Sequence, residues 1–398
     1  MLKGQFPVEK FASLRTPFYY YDLPLLRRTL DKIRECIEPY PQFHVHYAVK
    51  ANFNGKILQE ISRCGFGADC VSGGEIRVAL QNGFAPESIV YAGVGKSDEE
   101  ILLALDAGIA RFNVESAAEL EVINELALSR GVVAPVSLRV NPDIGAHTHA
   151  NITTGLAENK FGINYEQLPG VIELADSLPG VEYKGLHFHI GSQILEMDDF
   201  VALCNRINVL AEQILRQRRG RLVPAASGVA ASVLGDINVG GGLGINYYHP
   251  NHLDVAEFSQ YFETFARHLK LPEGTPVHFE LGRSVVAPCG SLISRVLYIK
   301  EGTTRRFAII DASMTELIRP ALYKAYHRVE NISSYEPEEV YDVVGPVCES
   351  SDVFAKGVSI DKCHRGDFIA IRSAGAYGES MSSQYNCRPL PACFFKED

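Results

Sequence analysis

Between residues 43 and 281 the sequence keeps switching between two hydrophobic periods. Apolar runs fall at 43–49 (FHVHYAV), 66–70 (FGADC), 88–93 (SIVYAG), 110–115 (ARFNVE), 135–140 (PVSLRV), 183–191 (YKGLHFHIG), 235–241 (GDINVGG) and 277–281 (VHFEL). Among them lie helical patterns such as GKILQEISRCG, GGEIRVALQNG, SDEEILLALDAG and ESAAELEVINELALSRG. A period of two marks strands and one of 3.6 marks helices. Eight β/α units over roughly 250 residues fit an α/β fold of the (β/α)8, TIM-type barrel class. Alternation alone does not close a sheet, so a doubly wound open sheet is the structural rival.

After residue 284 the helical patterns thin out. Short strands are predicted near 285–298, 306–311, 339–345 and 367–373, which suggests a separate β domain. The expected division is a barrel over 24–275, with 1–23 and 276–398 forming the β domain. A chain of 398 residues has room for both.

Composition excludes several classes of function. A net charge of −10 leaves no basic footprint for nucleic acid. The nine cysteines contain no C-x-x-C pair, which argues against both a zinc site and a secreted disulfide framework. The opening MLKGQFPVEKFASLRT has no apolar core like that of a signal peptide, and no run reaches the roughly 20 residues of a membrane span. A cytoplasmic protein with no membrane partner is expected. Three histidine pairs (His44/His46, His147/His149 and His187/His189) have a spacing that could suit a metal. No acidic or cysteine cluster accompanies them, so no metal is expected. The last pair is expected to share one strand face.

Polar residues punctuate the strand ends. Lys50, Asp69, His189, Ser192, the triplet Gly240-Gly241-Gly242, Glu280 and Arg283 all lie at or just past them. Barrel enzymes build their sites at that face, often holding phosphate with the loops after the last two strands. Those loops here are VGGGLG and ELGR, in which glycines let backbone N–H groups approach and Arg283 adds a forked cation. The triplet alone reads equally as a tight strand-to-helix turn. Lys50 closes an otherwise apolar run, where an amine is seldom buried. Beside a phosphate loop and a neighbouring carboxylate it suggests a pyridoxal phosphate Schiff base. Burial would favour the neutral, nucleophilic amine, and Glu280 would pair with the ring nitrogen. An amine reaching out from a strand end is the alternative for Lys50, and a structural carboxylate the alternative for Asp69.

Longer motifs narrow the choice. YAVKAN, HFHIGSQ, VGGGLG, ELGR, GPVCESSDVFAK and GAYGESMSSQYNCRPLP resemble the alanine-racemase-type (fold type III) pyridoxal phosphate decarboxylases. NPDIGAHTHANITTGLAENKFGI and IRPALYKAYH are similar to the diaminopimelate decarboxylase branch, and the likeness runs over nearly the whole chain. Leu281 departs from the branch, which usually has proline there. That backbone change leaves Glu280 and Arg283 in place.

The resemblance implies a role for each position. Lys50 would carry the cofactor, with Asp69 nearby and His189 stacked on the ring. Ser192, Gly240, Gly241, Gly242, Gly282, Arg283 and Tyr377 would hold the phosphate. Cys348 would be the general acid and Glu349 would bind the distal ammonium, both reaching the site from the partner subunit of a homodimer. Arg283, Arg319 and Tyr323 would bind the distal carboxylate, and Tyr377 would touch substrate as well as phosphate. The implied reaction is decarboxylation of meso-2,6-diaminopimelate to L-lysine. A polyamine-pathway decarboxylase (ornithine, arginine or carboxynorspermidine) is the alternative. Such substrates mostly lack a distal carboxylate, so Arg319 and Tyr323 speak against it. An alanine racemase would need a second base, usually a tyrosine, where CES stands. A non-catalytic homologue would be expected to lose Lys50 or Cys348.

Overall fold

A computed structural model describes residues 6–144, 160–218, 233–250 and 256–397. The chain divides into two compact units, one of residues 30–244 and 255–282, the other of 1–29, 245–254 and 283–398. The strand β1 (Phe18–Asp22) belongs to the second.

The first unit is the barrel. Its strands are β2 (Phe43–Ala48), β3 (Gly67–Cys70), β4 (Ile89–Tyr91), β5 (Arg111–Val114) and β6 (Ala134–Asn141), then β7 (Ile163–Asn164), β8 (Val181–His187), β9 (Asp236–Asn238) and β10 (Val277–Leu281). All pair in parallel. β10 pairs with β2 and β5 with β6, so eight strands form a closed ring and β7 adds only a short pairing outside β6. Closure rules out the open sheet. Register then sets the rim: Glu280 lies opposite His46, Asp69 opposite Ala48, and His187 opposite Asn238. The strand ends carrying Lys50, Asp69 and Glu280 therefore come out on one face.

The helices around this ring form for local reasons. Gly55–Arg63 buries Ile57, Leu58 and Ile61, spaced to face the sheet, and Asn54 caps it by accepting from Lys56 N. Asp98–Ala107 opens on a capping box between Ser97 and Glu100 and ends at Gly108, whose φ of 68° suits a residue without Cβ. Each such cap contributes about 1 kcal/mol. No described helix is long and apolar enough to cross a membrane.

The second unit is mostly sheet. After β1 come β11 (Gly290–Glu301), β12 (Arg306–Ile310), β13 (Val329–Asn331), β14 (Glu338–Val344), β15 (Val353–Asp361), β16 (Phe368–Ile371) and β17 (Ala392–Lys396). The order is β13-β16-β11-β12-β14-β15, with β1 antiparallel to β11 and parallel to β17. Phe11, Phe18, Tyr20, Ile293, Ile332 and Phe368 form one of its buried clusters.

Three expectations need correction. β10 pairs with β2 and β9, so the barrel runs through Gly282 instead of stopping at residue 275. The strand expected from 285 begins at Gly290, because Arg283–Val286 make a helical turn. β8 ends at His187, so His187 and His189 do not share a strand face. His147, His149 and the centre of the 143–160 segment lie outside the described residues.

Candidate active site

The turn Val49–Ala51 follows β2 directly and lifts Lys50 off the end of the strand. Its side chain is 39% exposed, and Nζ donates to Asp69 Oδ2 at 3.3 Å. Asp69 is wholly buried, and its Oδ1 meets no partner among the described residues. Burial, and then the charge of Glu280, push the Asp69 carboxyl up to about 7 against the pull of Lys50. The Asp69 carboxyl beside Lys50 thus keeps its proton up to near neutrality.

Glu280 is buried at the end of β10 and closely surrounded. Asn238 Nδ2 donates to Oε1 at 2.8 Å and Asn113 Nδ2 at 3.3 Å, while His187 Nε2 lies 3.1 Å from Oε2. Burial alone would raise this carboxyl, but His187 and then Lys50 outweigh it and hold Glu280 below the usual carboxylate range. Two neighbouring acids are therefore driven in opposite directions, the pattern expected where each has its own proton task. His189 lies just beyond β8, and Gly241 N donates to its Nδ1 at 3.3 Å. Burial, then the charges of Arg139 and Lys50, keep that imidazole neutral. Ser192 sits half-buried in the following bend.

The glycine triplet is enforced by close backbone approach. A Cβ on Gly240 would meet the Phe188 carbonyl, on Gly241 the Glu280 carbonyl, and on Gly242 the Gly191 carbonyl. Gly240 and Gly242 also have φ of 75° and 105°. The tight-turn reading of the triplet is thus correct in itself, and the turn leaves bare backbone beside His189. Gly282 packs against Ala48 and Ala51, on either side of Lys50.

In the second unit, Arg283 and Arg319 are 6% and 5% exposed. Arg283 Nη1 donates to Tyr247 Oη at 2.8 Å and Arg319 Nη1 to the same oxygen at 2.9 Å. Arg283 also lies over the Tyr377 ring at 4.9 Å. Arg319 Nη1 is 2.9 Å from His327 Nε2, and His327 Nδ1 is 2.9 Å from the Arg372 carbonyl. Burial, then the Arg319 charge, push His327 down to about 3, so it is neutral and accepts through Nε2. Arg319 opens the helix Arg319–Tyr323. Tyr377 adopts a left-handed φ of 56°. Cys348 and Glu349 are exposed; Asn386 Oδ1 accepts from Cys348 N, and Tyr385 donates to Glu349 at 2.9 Å.

The sequence-predicted residues therefore divide between the two units. Lys50, Asp69, His189, Ser192, Gly240–Gly242, Glu280 and Gly282 lie in the barrel, and Arg283, Arg319, Tyr323, Cys348, Glu349 and Tyr377 in the β unit. There the described contacts bring together Arg283, Arg319 and Tyr377 but not Cys348 and Glu349. Sequence reasoning gave no role to His187, Asn113, Asn238, Tyr247 or His327. For His327 and Tyr247 the signal was present in AYH and in GINYY just after the triplet.

Residues 26–287 match the model of the pyridoxal-dependent decarboxylase family's pyridoxal-binding domain. A diaminopimelate decarboxylase of Bacteroides thetaiotaomicron is 58% identical over 397 residues, covering both chains completely. The chain belongs to the diaminopimelate decarboxylase family. The family's Zymomonas mobilis enzyme is 40% identical over 96% of this chain and 87% of its own length. The Helicobacter pylori enzyme, solved with L-lysine, matches with a TM-score of 0.89 at 38% identity over 98% of this chain and 94% of its own. The chain is thus a pyridoxal-dependent decarboxylase, and its barrel groups fit that cofactor: an amine for the aldehyde, a buried ionised carboxylate for the ring nitrogen, and side-chain-free backbone for phosphate. No described group of three or more His, Cys, Asp or Glu could hold a metal. His46 instead packs 3.0 Å from His278, which reaches Asp236 at 3.3 Å.

Proposed function

We propose that this chain decarboxylates meso-2,6-diaminopimelate at its D-centre to L-lysine, as a cytoplasmic homodimer whose sites draw residues from both subunits. The observation that carries the substrate is the arginine pair on Tyr247. Among the described residues Arg319 meets a phenol and a neutral imidazole but no carboxylate. A buried guanidinium remains charged and calls for an anion. The far-end carboxylate of diaminopimelate supplies one, and ornithine has none to offer.

Lys50 binds the cofactor through its amine, and Asp69 takes and returns that amine's proton. Glu280 holds the proton on the ring nitrogen, oriented by His187, Asn113 and Asn238. When bound, pyridoxal phosphate supplies the sink for the electron pair left as the bond to carbon dioxide breaks. His189 packs on the ring. Ser192, Gly240–Gly242, Gly282, Arg283 and Tyr377 hold the phosphate. Arg283, Arg319, Tyr323 and Tyr377 would fix the orientation of the substrate. Glu349 binds the distal ammonium, and the Cys348 thiol returns a proton to the carbon that lost carbon dioxide. The exposure of Cys348 and Glu349 on a single chain supports their delivery to a second copy.

Carbon dioxide release from meso-diaminopimelate, L-ornithine, L-arginine and carboxynorspermidine tests the reading. Release from diaminopimelate alone is expected. Comparable release from ornithine would replace this assignment with the polyamine branch.

A further inference from the structure

Tyr247 accepts two hydrogen bonds, one from each arginine, on a single phenolic oxygen. A phenol offers two lone pairs and one proton. Both lone pairs are therefore engaged, and the O–H must point elsewhere. The residue is 7% exposed, and among the described residues no acceptor takes that proton. The ring itself is firmly held. Arg319 lies over it at 5.1 Å, and His327 meets it edge-on with ring centroids 5.1 Å apart. His327, fixed between Arg319 Nη1 and the Arg372 carbonyl, adds no charge of its own. A buried, rigid O–H donor between two guanidinium groups has one chemical complement, an anionic oxygen. A neutral acceptor would satisfy the proton and leave Arg319, which meets no carboxylate among the described residues, without an anion.

We propose that Tyr247 is a specificity-determining residue: it ties Arg283 and Arg319 to one oxygen and donates its own proton to the substrate's far-end carboxylate. This rests on the diaminopimelate reading. Three donors then converge on one carboxylate, two of them charged, and the phenol sets the spacing between the guanidinium groups. His327 serves as a positioning residue that holds Arg319 without neutralising it.

The test is Tyr247→Phe in the cofactor-loaded enzyme, which keeps the ring contacts and removes only the hydroxyl. L-lysine retains the far-end carboxylate, whereas cadaverine has lost it. L-lysine should inhibit the variant about tenfold or more less well, the effect of a lost hydrogen bond to a charged group. Inhibition by cadaverine should be unchanged. KM for meso-diaminopimelate should rise by the same factor with kcat nearly constant, and calorimetric titration with L-lysine should reproduce the loss. A structural role would move both inhibitors together, and that result overturns the proposal. Arg319→Ala separates the two ideas. If it abolishes discrimination between L-lysine and cadaverine while Tyr247→Phe does not, only the role of Tyr247 fails. If Arg319→Ala leaves discrimination intact, the carboxylate reading falls and the proposal with it.

Discussion

The two polar clusters are built on opposite electrostatic plans. In the barrel cluster the two buried acids each meet donors: Glu280 has two amides and an imidazole, and Asp69 has Lys50. In the β-unit cluster the buried charges are Arg283 and Arg319, held on a phenol, with a neutral histidine behind Arg319. The first plan is nearly self-sufficient and suits a resident group that stays. The second gives Arg319 no carboxylate among the described residues and suits an anion that comes and goes. Burying a charge without its counterpart is costly, so on the proposed reading Arg319 carries a penalty that an anionic substrate would relieve.

The sharpest break of this contrast lies at Lys50. Lys50→Ala should lose the yellow colour and essentially all turnover, and borohydride treatment of native enzyme should fix the cofactor on Lys50 in peptide maps. A label on another lysine ends the barrel assignment. Mixing Lys50→Ala with Cys348→Ala subunits should recover about a quarter of the activity at best, since half of a statistical mixture is heterodimer with one intact site each. No recovery after verified exchange puts both residues in one chain's site.

Next is the cationic side. Arg319→Ala should cost about 3–5 kcal/mol in kcat/KM for diaminopimelate, the range for breaking a buried ion pair. A loss below tenfold would mean that the cluster is structural. Glu280→Gln tests the acidic side: it keeps the shape, removes the charge, and should lower kcat by about 1.5–3 kcal/mol while cofactor stays bound. Near-normal turnover would make Glu280 a scaffold residue.

The smallest effect is on stability against pH, where the clusters should pull in opposite directions. Asp69 binds its proton more tightly folded than unfolded. Its stabilising contribution is therefore complete below about pH 4 and lost as pH rises through about 7. His327 binds its proton less tightly folded. It stabilises above about pH 6.5, and that contribution is lost as pH falls toward about 3. Each slope is at most about 1.4 kcal/mol per pH unit. Denaturation of cofactor-free protein across this range should show Asp69→Asn flattening the first slope and His327→Gln the second. Unchanged slopes would remove the contrast.

Much of this was legible in the sequence, for identifiable reasons. Strand and helix periods gave all eight barrel strands within a few residues, and Lys50 and Glu280 announced themselves as charges ending apolar runs. β13, with three residues, is too short to show a period. β17 has two adjacent phenylalanines and does not alternate. The division near 275 was misplaced because β10 is followed at once by the turn at Arg283, with no linker composition between them. Asn113, Asn238 and His187 gave no signal because an amide or imidazole inside a strand looks ordinary until register brings it to Glu280. Tyr247 escaped for the same reason: its two arginines are 36 and 72 residues away.

The pairing of β1 with both β11 and β17 bears on how the chain is made. The barrel is drawn from one nearly continuous stretch and has its last strand once residue 281 emerges from the ribosome. The other unit must wait. Phe18–Asp22, synthesised before any barrel strand, gains its first partner at Gly290–Ile293 and its second only at Ala392–Lys396. Until then an aromatic strand, FYYYD, has both edges open, the condition under which strands pair with the wrong neighbour. Nascent chains should therefore be most prone to aggregate while the barrel is being made, and that hazard closes only with the final strand.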